Sequence, residues 1–575
     1  MTLLLRYLKP YKKSIAALLI LMFGGIMLEL YLPTLMANMV DFGIAKEDMD
    51  YVYQTGGWML FCSIFAVALT VGVNYLSSGV AHGFGKDLRR SLFVQVQKFS
   101  LQQFERFGPA SLMTRTTNDI RQVQDLVNAL FGMMTRAPIM LLGGILLAFY
   151  RDSMLSLVFI AVLPVLAGII FLIMRKAVPL FGLLQLKTDR LNLIIREKLS
   201  GIRVIRAFNR TEYENGRFNQ ANEDYRDTGI KVNKITAYLF PAMSMVMSVT
   251  NVSIVWFGGI RIDQGHMQIG NLMAFLQYAM MIMVALIMLS MMFVMIPRAQ
   301  ASANRIADVL RLEPTIADAG SNKLATEIKG RIEFAEVTFR YPGAANPALR
   351  SVSFQAGPGE TTAIIGSTGS GKTTLLQLIP RLYDVESGAI LIDGVDIRDM
   401  PQRSLRSRIG YVTQKASLFR GTIADNVAFG RDQLAPDQLE EALRIAQALD
   451  FVRSKEKGAD EEVAQGGANF SGGQKQRLSI ARALARKPAI YLFDDSFSAL
   501  DYKTDAELRK ALKQVTGDAT ILIVAQRVST VKDADRIIVL HEGAISGIGS
   551  HEELLSSNNI YREIVASQLT EEESA

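Results

Sequence analysis

Gly366, Ser367, Thr368, Gly369, Ser370, Gly371, Lys372, Thr373 and Thr374 follow the apolar run that ends in Ile364 and Ile365. Their types and spacing match the phosphate-loop pattern G-x-x-x-x-G-K-[ST]. Gly366, Gly369 and Gly371 let the backbone curl without side-chain clash, so that loop N–H groups face an anion at the start of the following helix. Lys372 is placed to reach the β- and γ-phosphates of a nucleotide, and the Thr373 hydroxyl to ligate Mg²⁺. Two further groups belong to such a site. Asp494 ends the apolar run AIYLF, which puts a carboxylate at the carboxyl end of a buried strand, where it can hold Mg²⁺ through water. Ser471, Gly472, Gly473 and Gln474 open the helical stretch SGGQKQRLSIARAL, and a helix start with two glycines exposes N–H groups to an anion.

The elements that carry these residues come in two kinds. Half of the 575 residues are hydrophobic, and long apolar runs fill the first 300 or so positions. From about Arg331 onward strands alternate with helices, which argues a mainly parallel sheet with the phosphate loop at its centre. The net charge of +7 is explained by Lys and Arg in loops between apolar spans, so no nucleic-acid partner is expected. The lone Cys62 rules out a disulfide framework and a cysteine–zinc site. No cleavable signal peptide is evident.

Six spans of roughly the twenty residues a bilayer demands are expected near Ile15–Met39, Gly56–Ser78, Ala137–Tyr150 with an earlier start, Met154–Met174, Ala237–Ile260 and Leu272–Ile296. Pro33, Pro138, Pro164 and Pro241 are tolerable in spans whose neighbours satisfy the freed backbone groups. The N-terminus and the loops 81–136 and 175–234 are rich in Lys and Arg. The positive-inside rule therefore puts both termini and both long loops in the cytoplasm. Those loops keep helical periodicity beyond the bilayer and read as stalks, turning at Phe107-Gly108-Pro109 and after Phe208-Asn209-Arg210. The expected domains are 1–297 (membrane), 298–330 (linker) and 331–570 (nucleotide-binding).

Glu29 lies in the first span, where a carboxylate is costly enough to signal a role. It is a counter-ion for a cationic substrate, or it pairs with another helix or sits near the outer interface. The fifth and sixth spans are rich in methionine, including Met243, Met283 and Met288. Flexible thioethers suit a surface that repacks around varied apolar ligands, and ordinary helix packing explains them equally.

Ser471-Gly472-Gly473-Gln474, the stalk REKLSGIRVIRAF and the FSALD after the Asp494 strand together resemble the ATP-binding cassette (ABC) transporters, specifically exporter-type half-transporters, over nearly the whole chain. The resemblance implies a six-helix all-α membrane domain fused to an α/β phosphate-loop ATPase, with ATP and Mg²⁺ bound. It implies that Tyr341 stacks on adenine, that Gln414 senses Mg²⁺ and couples to the stalks, and that Asp501 ends the loop touching a partner cassette. Two cassettes of the family close head-to-tail, so each ATP lies between one chain's phosphate loop and the other's signature. The turns of the long loops would be coupling helices, the second reaching the partner's cassette.

Two positions depart from the family. Asp495 stands where a glutamate polarises the attacking water, and Gln526 where the switch histidine stands. Shortening Glu by one methylene withdraws the carboxylate, and catalysis is sensitive to misplacement of about 1 Å. Glutamine cannot take up a proton near neutral pH as histidine can. The site on this chain's own Lys372 is therefore expected to be slow, while Ser471–Gln474 completes another chain's site. This pattern resembles the degenerate subunit of bacterial heterodimeric multidrug exporters. It implies a homologous partner with intact Glu and His, hydrophobic or lipid-like substrates, and a multi-pass location in a bacterial cytoplasmic membrane. The alternatives are a homodimeric exporter with an unusual catalytic pair, or a regulatory ATP-binding subunit that does not transport.

Overall fold

The computed structural model describes residues 2–318, 329–431, 433–515 and 517–572; positions 319–328 of the expected linker lie outside them. The chain forms two compact units, Met1–Gln97 with Gly108–Glu313, and Lys98–Phe107 with Pro314–Ala575.

In the first unit, six helical segments are long and apolar enough to cross a membrane: Arg6–Lys46, Met49–Gln97, Pro109–Arg151, Leu157–Ser200, Thr211–Asp263 and Ile269–Leu310. At 1.5 Å per residue, the unbroken helix Met49–Gln97, with its 49 residues, extends roughly 70 Å, more than twice a hydrocarbon core of about 30 Å. Each expected span is thus the apolar part of a longer rod. Two boundaries differ from expectation. The fourth helix begins at Leu157, not Met154, because extended Asp152 accepts the Leu155 N–H at 2.9 Å and holds a turn ahead of it. The fifth segment breaks at Tyr238, between helices Thr211–Ala237 and Leu239–Asp263, since Pro241 has no N–H to give the Ala237 carbonyl. Pro33, Pro138 and Pro164 do sit inside helices. ASANRIADVL simply continues the sixth helix to Leu310.

Small residues set the helix crossings, as packing among apolar neighbours requires. A Cβ on Gly143 would come within 2.4 Å of the Leu30 side chain, and one on Gly258 within 2.4 Å of Leu272. Phe159 and Phe275 stack in a buried cluster with Tyr278, Ile254 and Ala148. Met243 is buried against Leu166 and Ile170 with Met283 beside it, whereas Met245, Met280 and Met291 are exposed. Where the third helical segment passes through the π-helical turn Arg115–Asp119, buried Asp119 accepts from Arg305 Nε at 2.8 Å and Nη2 at 2.5 Å, and from Ser302 at 3.0 Å. Arg305→Ala would strand that carboxylate. The expected cost lies toward the lower end of about 3–5 kcal/mol, because Arg305 itself is half exposed. The check is a clear fall in the thermal unfolding midpoint of the purified protein, which Arg305→Lys partly restores.

The second unit has a six-stranded sheet. Strands Ile409–Val412, Ile490–Asp494, Thr520–Val524, Thr361–Ile365 and Arg536–His541 run parallel in that spatial order, with Ala544–Gly549 antiparallel at the far edge. The central strands read as continuous apolar runs because both faces are covered: Ile490–Asp494 and Thr520–Val524 are buried at every position. A separate four-stranded antiparallel sheet forms around Ile332–Phe339. Alternation in IEFAEVTF marks that strand, but nothing local says that it leaves the parallel sheet. The short helix Leu101–Phe107 also belongs to this unit: Leu101 packs on its core, and Thr315 bonds Ser100 and Gln103. Gly108, at φ 74°, and Pro109 turn the chain after it. Asn209, at φ 52°, makes the second expected turn.

Candidate nucleotide site

Strand Thr361–Ile365 delivers the loop, and helix Lys372–Leu378 leaves it. Gly366 is required for close approach, since a Cβ there would lie 2.1 Å from the Leu540 carbonyl oxygen. Gly371 is required for its backbone, at φ 100°. The Lys372 ammonium donates to the carbonyls of Gly366 at 2.8 Å and Ser367 at 2.7 Å, which folds it over the loop it would share with phosphate. Burial pushes its pKa down, against the pull of Asp495 and Asp494. Among the described residues, none hydrogen-bonds the buried Ser370 Oγ, which a phosphate oxygen would satisfy.

The Thr373 hydroxyl donates to Asp494 Oδ1 at 2.9 Å, so the two expected metal-holding groups converge. Burial and then the neighbouring Asp495 push the Asp494 carboxyl up, against the bond from Thr373. Two carboxylates crowded at low dielectric beside a hydroxyl fit a hard dication with oxygen ligands. Thr373 and Asp494 are the residues that would hold Mg²⁺, whose charge would screen the phosphates.

Asp495 adopts the left-handed region, at φ 46°, and its N–H is tied to the Val524 carbonyl at 2.9 Å. A single oxygen, Oδ2, accepts from Gln526 Nε2 at 3.1 Å and Gln414 Nε2 at 3.3 Å. Burial raises its pKa, with the Gln414 bond the largest opposing effect. Asp495, Gln526 and Gln414 thus form one cluster, although 81 and 31 positions separate the glutamines from the aspartate.

The signature lies elsewhere on the cassette. Ser471 caps helix Gly472–Ala485 in a reciprocal box with Gln474: Ser471 Oγ accepts the Gln474 N–H, and Gln474 Oε1 the Ser471 N–H. Ser471 and Gly472 are exposed. Among the described residues, no hydrogen bond joins Ser471–Gln474 to Gly366–Thr374 of the same chain. Asp501 is exposed and caps the next helix, accepting from Thr504 N–H at 2.9 Å and its hydroxyl at 2.8 Å; these bonds lower its pKa. The Tyr341 hydroxyl lies 2.9 Å from Thr374 Oγ1, with its ring edge-on to Phe339 and Tyr383. That places an aromatic ring beside the loop. Glu29 is remote in sequence and in unit, and accepts from Arg136 Nη2 with both oxygens, at 2.6 and 2.5 Å. It therefore pairs with another helix.

Three participants were not singled out from sequence. Tyr411 donates to Asp494 Oδ2 at 3.4 Å and lies only three positions before Gln414. Gln568 holds the switch loop, donating to the Gln526 carbonyl and accepting the Val528 N–H, both at 2.7 Å; no local pattern marks it. Arg136 sits at the edge of an apolar run, and reading it as the end of a loop hid its pairing with Glu29.

Known proteins agree with this geometry. Residues 15–313 match the family described as ABC transporter transmembrane region, and residues 349–498 the family described as ABC transporter. An uncharacterized ABC transporter ATP-binding protein of Mycobacterium tuberculosis is 43% identical over 572 residues, covering 99% of this chain and 98% of that protein. An ATP-dependent lipid A-core flippase of Syntrophus aciditrophicus is 33% identical, covering 90% and 86%. In fold, the chain is similar to a bacterial Atm1-family ABC exporter with ATP bound, with a TM-score of 0.82 at 24% identity, covering 97% of this chain and 98% of that one. A phosphate loop, a converging Thr373–Asp494 pair and a signature helix, joined to six membrane-crossing helices, identify this chain as a member of the ABC transporter family, a multi-pass exporter-type half-transporter whose cassette hydrolyses ATP to drive transport.

Proposed function

We propose that this chain is the slow-site subunit of a heterodimeric exporter for hydrophobic or amphipathic compounds in a bacterial cytoplasmic membrane, with both termini and both long loops cytoplasmic. The observation that supports it most is the double amide contact on Asp495 Oδ2. A water-polarising base needs a free acceptor directed at the water. Here the carboxylate is one methylene short, and Gln526, standing in the switch position, directs one of its two amide N–H groups to that carboxylate. ATP would bind at Lys372 and Thr373, with adenine on Tyr341, and turn over slowly. Ser471–Gln474, exposed at Ser471 and Gly472 and preorganised by its capping box, would complete the site on the partner's phosphate loop, with Asp501 near that interface.

ABC exporters act as dimers, and a homodimer of this chain would contain two slow sites. A partner with Glu and His supplies one fast site. The lipid A-core named for one relative, and fatty acid for a Mycobacterium bovis relative 34% identical over 475 residues, favour lipid-like cargo. The test is phosphate release by the full chain purified alone at saturating MgATP. Turnover near background, with ATP retained on the protein, is the expected result. Rapid turnover would overturn the reading in favour of a homodimeric exporter.

A further inference from the structure

Inside the first unit, a cavity of about 330 Å³ opens between the first, second, third and sixth helical segments, and the Glu29–Arg136 ion pair stands in its wall. Apolar side chains, among them Leu21, Ile26 and Met288, line the remainder with Asn74 and Asn128. The volume is at the small end of ordinary ligand pockets, about 300–1,000 Å³. It suits a polar head with part of one chain and is too small for a whole two-chain lipid.

The wall has unspent bonding capacity of both signs. Both contacts to Glu29 come from Nη2 of Arg136, while Nε is directed to Met140 Sδ at 3.4 Å; Nη1 is used by neither. The Asn128 carbonyl oxygen accepts from Ser77 at 2.8 Å, which leaves Asn128 its two N–H donors and one further acceptor lone pair. The carboxylate of Glu29 keeps acceptor capacity beyond its two bonds to one nitrogen. The helix is also altered here: Leu130–Met134 is a π-helical turn, a feature frequent at functional sites, and Gly132 and Met133 of that turn line the cavity. A Cβ on Gly132 would meet nothing within 4 Å. The Leu130 carbonyl accepts both the Thr135 N–H, at the wider spacing of the turn, and the Thr135 hydroxyl at 2.7 Å.

From this pairing we infer that the cavity binds the head of a zwitterionic amphiphile, one ammonium and one anionic group on the same polar end, by exchange of charge partners with Glu29 and Arg136. The reason is electrostatic balance. The pair carries no net charge, so a simple cation drawn to Glu29 would leave Arg136 without its partner. A simple anion on Arg136 would bring a second negative charge beside Glu29. Either adds net charge to a site walled largely by apolar side chains, where an uncompensated charge is costly. A zwitterion puts ammonium on the carboxylate and anion on the guanidinium and keeps the sum at zero. The apolar wall takes the start of its chain. This assignment rests on the export reading above and names the class of cargo for it.

The test is equilibrium binding of radiolabelled lysophosphatidylethanolamine to the full chain in nonionic detergent, without ATP. Dodecylammonium and dodecyl phosphate are the competitors. Saturable binding is expected, with each competitor, bearing charge of one sign only, weaker by about tenfold or more. Glu29→Gln and Arg136→Gln should each weaken the zwitterion by about tenfold, the scale of one lost charged hydrogen bond, and shift preference toward the anion and the cation respectively. The exchanged pair Glu29→Arg/Arg136→Glu should recover binding, which a purely structural role would not require. ATP binding at the cassette reports that each variant is folded. Equal binding of dodecylammonium or dodecyl phosphate, or unchanged zwitterion binding in folded variants, would overturn the assignment. Because no hydrolysis is measured, that failure leaves the slow-site reading intact, and rapid turnover of the chain alone would not touch this result.

Discussion

Asp495→Glu/Gln526→His should raise the ATPase rate of the purified chain by about 10²–10⁴, the usual contribution of a positioned general base. Two changes act together in this variant. Glutamate extends the carboxylate by one methylene from a backbone that is already pinned, by the 2.9 Å bond from Asp495 N–H to Val524 and by φ 46°. Histidine removes the amide that lies 3.1 Å from Asp495 Oδ2 and restores a group able to hold a proton near neutral pH. Asp495→Glu alone leaves the Gln526 donor in place and should recover less. Phosphate release at saturating MgATP measures both variants against the unaltered chain, and a homodimer of the double variant contains two repaired sites facing two intact signatures. A flat response would mean that the defect lies outside this cluster.

The second large effect separates the two halves of one cassette. In membranes containing this chain and the partner proposed for it, Ser471→Asp should lower ATPase activity by about 10²–10³, the usual cost of losing one preorganised donor toward developing charge. Aspartate caps helices as well as serine does, so the box that Ser471 forms with Gln474 survives and the cassette should keep its unfolding midpoint. On the proposed reading, what changes is a negative charge placed where the partner's ATP would dock its phosphate. Lys372→Ala in the same chain removes the ammonium from the loop and should abolish ATP retention at this chain's own site, with a far smaller loss of steady-state turnover. The opposite ranking, with Lys372→Ala the more damaging, would place the fast site on this chain and end the slow-site proposal.

Much of this protein is decided locally and is therefore legible in its sequence. The phosphate loop is one contiguous stretch whose glycines answer to backbone geometry, and Gly371 at φ 100° and Gly366 against Leu540 occupy the places that spacing implies. The spans follow from apolar length, and the Ser471 cap from the residue three positions on. Boundaries depart from apolar length where a single residue sets them, as with Asp152 ahead of Leu157 and Pro241 after Tyr238.

Pairing between distant residues is set by the packed fold. Sequence marks Asp495, Gln526 and Gln414 as three separate oddities or family positions; parallel strands bring them to one carboxylate oxygen. Sequence leaves Glu29 as a lone buried charge, and the packing of the first against the third helix gives it Arg136. It also leaves Ile332–Phe339 without a sheet, since alternation fixes which face is buried and not which strand lies beside it. Local spacing is set by backbone sterics and helix or strand period, which a short window contains. Partner choice is set by where chain ends and crossovers bring remote segments together, and no window of sequence contains that.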